Sequence, residues 1–432
     1  MSDVLDLAER LWSGEVTVET HHPVGGGTGG VAEIAEGVGF WHGFSNSTIV
    51  RTAAGLVMVD TGDPLLGKVL HEQVRGWLPD VPLHSAVYSH GHIDHVFGVG
   101  HFDAEADERG WARPTVHAQE ALPARFDRYR LTAGYNATVN RRQFGLDNLQ
   151  WPVDYRYPDQ TYRGVTTLDV GERVELHAAR GETDDHTWTW FADRRVLCCG
   201  DLFIWASPNA GNPQKVQRFA WEWAVALREM LALDAEVLLP GHGVPVVGAG
   251  RVRQALDDTA TYLESLHEQT VEMMNAGASL DEILHTVRPP AHLADRPYLQ
   301  PVYDEPEFVV RNIWRLYGGW WDGAPSSLKP APAARLADEL VGLAGADAMS
   351  ARVEELLTAG DDVSLRLAGH LVDLLVQAAP TSAGAHSLRA LAYARRREVE
   401  RSTMSKGVFG WAERESRRVA DAPVADAPVA DV

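Results

Sequence analysis

The segment SHGHIDHVFG, residues 89–98, places three histidines and one aspartate within the six positions His90 to His95, directly after the apolar run LHSAVY. Imidazole nitrogens and carboxylate oxygens suit zinc and similar borderline metals. His90 and His92, two apart in an extended loop, can turn the same way and chelate one ion. Asp94 and His95 then point toward a second. Two protein ligands per ion fall short of the roughly three or four such a metal takes. The chain must bring the missing donors from distant segments, which demands a fold that gathers several strand ends at one rim.

Suitable donors follow. GETDDHTW offers His186 in a turn that enters a strand, CCGDLF offers Asp201 at a strand end, and LLPGHGVP offers His242 between glycines after an apolar run. Around them, STIVRTAAGLVMVDTGD reads as two strands with a turn at Ala54-Gly55, the second ending at Asp60. RGVTTLDVGERVELHAARG and TWTWFADRRVLCCGD supply more strands, and helical patterns span Leu65 to Trp77 and Ala220 to Leu233. Strands mixed with helices indicate an α/β layered domain over residues 1–250. From Arg251 the texture turns helical to residue 415. Ser279 with Glu282 forms a capping-box pattern at the start of SLDEILHTV, LKPAPAA reads as a linker, and the repetitive end, residues 416–432, reads as a disordered tail.

Charge narrows the function. Lys plus Arg total 39 against 60 Asp plus Glu, a formal net charge of −21. That argues against a nucleic-acid binder, which needs clustered positive charge. An anionic substrate must be held by a local positive feature. Two such stretches stand out as loops: AGYNATVNRRQFG with Tyr135, Asn136, Asn140 and Arg141, and SPNAGNPQKVQRF with Asn209, Asn212, Lys215 and Arg218. Each reads either as substrate contact or as loop structure. Adjacent Cys198 and Cys199 cannot build a disulfide framework and read as reduced core thiols. No run of about 18 apolar residues occurs, and the acidic, amphipathic start lacks the features of a secretory signal, so a cytoplasmic protein is expected.

The ordered set VMVDTG, SHGHIDHVFG, His186, CGD and PGHG resembles the metallo-β-lactamase superfamily, over roughly residues 35–245. The resemblance implies an αββα sandwich carrying two zinc ions at one edge. It assigns His90, His92 and His186 to one ion and Asp94, His95 and His242 to the other, with Asp201 bridging. Asp94 and Asp201 are then the catalytic carboxylates, and Asp60 orients the histidine loop from behind the ligands. A hydroxide shared by the ions is the implied nucleophile, so hydrolysis is the expected reaction. The di-iron redox branch typically has glutamate in place of His92.

Residues 255–415, with YGGWWDG as the most specific fragment, resemble the helical dimerisation domain of alkyl sulfatases. That likeness implies a homodimer formed through the helical domain and a sulfate monoester as substrate. Another ester, phosphoester, lactone or amide is the alternative. GFWHGF and FAWEWAV are read as an apolar trough for an alkyl group or as core packing. Alkyl sulfatases usually carry glutamates at the third donor of one metal and at the bridge; here the places fall on His186 and Asp201.

Overall fold

The computed structural model describes residues 3–27 and 29–422, which fall into two compact units: Met1–Asn136 with Gln150–Trp320, and Ala137–Leu149 with Trp321–Val432. In the first unit two sheets carry the architecture. One sheet runs in chain order: β1 (Val31–Ala35), β2 (Val38–Trp41), β3 (Ser47–Thr52), β4 (Gly55–Val59), β5 (Leu83–Val87), β6 (Thr115–Gln119) and β7 (Gln160–Tyr162). It is antiparallel from β1 to β4 and parallel from β4 to β7. The other is made of β8 (Val165–Asp169), β9 (Arg173–Ala179), β10 (His186–Phe191), β11 (Val196–Gly200), β12 (Val237–Pro240) and β13 (Val246–Val247), in the order β13-β12-β11-β10-β9-β8. Here only β11 and β12 pair in parallel.

Period-two alternation decides which side chains face which layer. Ile49 and Met58 are register partners and turn outward onto the helices Gly67–Trp77 and Val99–Arg109, in a cluster with Leu70, Val74 and Phe102. Their neighbours Val50 and Val57, also partners, turn inward and pack in one core with Leu176, Trp188 and Cys198 of the second sheet. The same core takes in Trp223, Leu227, Leu256 and Leu263 from the helices Ala220–Leu231 and Ala249–Asn275. The result is the helix–sheet–sheet–helix layering expected from the sequence.

The parallel segments position the site. β4 and β5 run together and end at Asp60 and Ser89, and β11 and β12 end together at Asp201 and Gly241. Side chains just past those ends come to one rim.

Three boundaries differ from the sequence reading. The helical texture that begins at 251 is not a separate unit: the buried face of Ala249–Asn275, with Val252, Leu256, Leu263 and Leu266, packs into the sandwich core, and the compact units part at Trp320 and Trp321. The stretch 133–145, expected as a loop, is largely the helix Ala133–Phe144. Its buried face is mostly polar, with Asn136, Asn140 and Gln143 at helical spacing beside Ala137 and Val139, so only a weak apolar periodicity announces it. The expected tail begins too early, because the last helix, Thr403–Ala420, covers 416–420. The rest of the tail, residues 423–432, lies outside the described residues.

The second unit is a set of helices, Ala333–Ala344, Ala346–Ala359, Asp362–Ala378, Ala383–Val399 and Thr403–Ala420. Val353, Leu356, Leu365, Ala368, Val372 and Ala392 form its core. Segment 137–149 docks within this unit: a Cβ on Gly407 would lie 2.0 Å from the Gln143 carbonyl oxygen, and Arg142 stacks 4.4 Å from the Trp411 ring centroid. The capping box at Ser279 and Glu282, in the first unit, is formed as expected.

Candidate metal centre

Two sets of donor atoms converge at the rim. One consists of His90, His92, Glu182 and Asp201, the other of Asp94, His95 and His242, and within each set the atoms lie within 4.8 Å of one another. Asp201 also spans the gap between sets: one oxygen is 3.5 Å from His95 Nε2, and the other is 3.4 Å from His242 Nε2 and 3.9 Å from His90 Nε2. Asp94 Oδ2 is 3.3 Å from His242 Nε2 and 3.5 Å from His95 Nε2.

Most of the imidazoles are fixed from behind. Asp60 accepts from His95 Nδ1 at 2.8 Å, from the Ser89 backbone N–H at 2.7 Å and from Ser89 Oγ at 2.8 Å. Ser89 Oγ in turn lies 2.9 Å from His90 Nδ1. The Phe44 carbonyl accepts from His242 Nδ1 at 2.7 Å. With each Nδ1–H engaged outward, the Nε2 atoms of His90, His95 and His242 point inward. This is the arrangement by which outer partners set a ligand's tautomer.

Several inward atoms make no hydrogen bond. His95 Nε2, Glu182 Oε2 and Asp201 Oδ1 are buried and unsatisfied, and His90 Nε2 faces His92 Nδ1 at 2.7 Å. Buried polar atoms without partners are rare in folded proteins. Imidazoles brought face to face with carboxylates, all nearly buried, fit cations such as zinc in chemistry and in number. Charge within the cluster is strongly coupled. Burial disfavours the His242 imidazolium, yet Asp201 and Asp94 outweigh it and push its pKa up to about 10. Burial and Asp201 push Glu182 up to about 8 against the pull of Arg218. Burial also opposes the Asp201 carboxylate, but His242 and His95 hold its pKa well below the usual range.

Glu182, not His186, joins His90 and His92. The sequence reading missed it although it lies four residues before His186. His186 sits at the start of β10 and directs Nε2 at the Cys199 carbonyl, 3.1 Å away, while its ring stacks on His90 with centroids 5.0 Å apart. It backs the cluster. Glu182 is turned inward by two partners, Asn209 Nδ2 and the buried Arg218 guanidinium, which both bond Oε1 and leave Oε2 free. The loop that carries His90 and His92 is braced by Asp185, which accepts from the Gly91 N–H at 2.9 Å and pairs with buried Arg125 at 2.6 Å. Gly241 must be glycine, since a Cβ there would lie 2.1 Å from Asp201 Oδ1.

The expected substrate contacts divide. Lys215 is coupled to the site by charge: burial and Arg218 pull its pKa down to about 8, and Asp94 and Glu182 oppose that. Its Nζ lies 5.6 Å from the Trp151 ring centroid. Asn209 holds Glu182 instead, and Asn212 is a turn residue, accepting from the Gln214 N–H at 3.1 Å. Asp304 fixes the same loop by accepting from the Gly211 and Asn212 N–H groups at 2.5 and 3.1 Å. Asn136 donates to Thr132 Oγ1 at 2.9 Å, and Tyr135 is exposed. Asn140 and Arg141 belong to the other compact unit, where Arg141 donates to the Leu149 carbonyl at 2.7 Å. A residue not foreseen is Tyr303: burial raises its hydroxyl pKa, and Glu182, Asp94, Arg218 and Asp201 all act on it.

Two regions of the chain match known families. Residues 41–242 match the metallo-beta-lactamase superfamily, and residues 279–418 match the alkyl sulfatase dimerisation family. A linear primary-alkylsulfatase from Pseudomonas sp. is 30% identical over 72% of this chain and 62% of its own length. An alkyl/aryl-sulfatase from Saccharomyces cerevisiae is 25% identical over 80% of this chain and 57% of its own. The chain thus spans less than two thirds of the length of these relatives. In fold it is similar to the stereoselective inverting sec-alkylsulfatase Pisa1 from Pseudomonas sp., with a TM-score of 0.78 at 23% identity, covering 92% of this chain and 66% of that one. No helix among the described residues is long and apolar enough to cross a membrane.

Proposed function

Because the chain belongs to the metallo-beta-lactamase superfamily and carries an alkyl sulfatase dimerisation region, we propose that it is a dinuclear zinc hydrolase of sulfate monoesters. The observation that carries the metal part is the pair of donor sets meeting at Asp201, with unsatisfied buried atoms aimed between them. His90, His92 and Glu182 would hold one ion, Asp94, His95 and His242 the other, and Asp201 both. The alkyl- and aryl-sulfatase activities named for its relatives support the substrate class.

A pair of divalent cations supplies Lewis acidity and activates water as a nucleophile near neutral pH. The protein's own groups do the rest. Asp60, Ser89 and the Phe44 carbonyl keep Nε2 of three histidines directed inward. Lys215 is the cation for the ester's sulfate oxygens, since its ammonium lies in the field of Asp94 and Glu182 beside the donor sets. The Tyr303 hydroxyl is a neutral donor to the same anion, and Asp201 and Asp94 supply the negative charge that balances the ions. The helical unit is the surface for a second copy of the chain.

The test is product release from matched alkyl sulfate, alkyl phosphate and lactone substrates. Inorganic sulfate released from the first, with little turnover of the others, is the expected result. Phosphate release or lactone opening at a higher rate would assign the site to a different ester.

A further inference from the structure

We propose that Phe44, Ser45 and Asn46 form a dedicated clamp for the cation position made by Asp94, His95 and His242, with Asn46 as its positioning residue. This rests on the dinuclear reading above. Asn46 grips the loop on both sides of His242: its N–H donates to the Gly241 carbonyl at 2.8 Å, and its Nδ2 donates to the carbonyls of Pro240 and Gly243 at 2.9 and 3.0 Å. Ser45 Oγ donates to the Asp94 carbonyl, and the Phe44 carbonyl takes the His242 Nδ1–H at 2.7 Å. The Phe44 ring meets the His242 ring edge-on, with centroids 5.8 Å apart. Three consecutive residues therefore hold two of that position's three private donors, Asp94 and His242.

The other position is held by different residues. Ser89 backs His90, Asp185 with Arg125 braces Gly91, and Asn209 with Arg218 turns Glu182. Ser45 and Asn46 are 0% and 3% exposed, so water cannot replace their hydrogen bonds. Removing the Asn46 amide leaves the Pro240 and Gly243 carbonyls buried without that donor and frees the His242 loop. Asp60 and Ser89 serve both positions, through His95 and His90; beyond that pair the structure assigns the two cation positions separate supports, and the His242 side can be loosened without the other.

Zinc titration of the full chain against a competing chromophoric chelator tests this in wild type, Asn46→Ala and Ser45→Ala, with circular dichroism of the metal-free proteins to check folding. The wild type is expected to take up two ions per chain. Asn46→Ala should keep one tight site and bind the second about 10- to 100-fold more weakly, the range for losing a ligand's outer support. Ser45→Ala should weaken the same site by a smaller factor, and carries the test if Asn46→Ala does not fold. Two equally tight sites in the folded variants, or equal weakening of both, would overturn the clamp. A wild type that takes up fewer than two ions would instead overturn the dinuclear reading beneath it.

Discussion

Asp60 Oδ2 lies 2.8 Å from His95 Nδ1, and the same side chain takes both the backbone N–H and the hydroxyl of Ser89. One carboxylate at the end of β4 thereby sets the orientation of two imidazoles, His95 directly and His90 through Ser89 Oγ. Asp60 sits at φ +59°, in the left-handed region that aspartate tolerates better than most residues, which lets the chain turn just past the strand. Asp60→Asn keeps the shape but removes the charge. It should lower zinc affinity about 10- to 100-fold with little change in fold, as read by chelator competition.

Glu182 and His186 can be separated by metal content. Glu182→Ala should bring bound zinc from two to about one per chain after dialysis, because it removes a donor from the set with His90 and His92. His186→Asn should retain two, since the ring only backs His90 and donates toward the Cys199 carbonyl. Elemental analysis of both variants decides the matter, and the reverse pattern would restore His186 as the ligand.

Arg125 is nearly buried between Asp184 and Asp185. Arg125→Ala leaves the fully buried Asp185 carboxylate without its counter-charge, a change that typically costs about 3–5 kcal/mol. Chemical denaturation should show a loss of that order, accompanied by weaker binding of the ion at His90 and His92 because Gly91 is released. Arg125→Lys should recover part of the stability.

Burial raises the Asp304 pKa to about 6, against the pull of three backbone N–H donors and Arg218. Its folded value thus exceeds its unfolded value, near 3.9. The stability this group contributes is complete below about pH 4 and is lost as pH rises through about 6. Between those limits, metal-free wild type should lose stability relative to Asp304→Asn as pH increases. Urea unfolding of the two proteins at pH 4.5 and 6.5 reads the difference, and parallel profiles would remove Asp304 as its source.

Much of the site was legible because its donors follow strand ends. Asp60, His90, Asp201 and His242 each come directly after an apolar run or close to one, and parallel pairing of β4 with β5 and of β11 with β12 brings those ends to one rim. Glu182 was hidden because it stands in a polar turn, GETDDH, where two other acids compete with it and a histidine fits the motif better. What selects it is the pair Asn209 and Arg218, some 30 residues downstream, and that contact is visible only in the fold. Those two looked like substrate contacts because polar loop residues do, and burial turned them into supports. The helix Ala133–Phe144 escaped notice because amides make up most of its buried face, with only Ala137 and Val139 apolar.

Stepwise zinc addition to metal-free protein, with inorganic sulfate release from an alkyl sulfate followed at each step, tests the central claim most directly. Sulfate release that stays near zero through the first equivalent and rises with the second is the outcome this account predicts. Release that is complete without added metal, or saturated at one ion per chain, would contradict it.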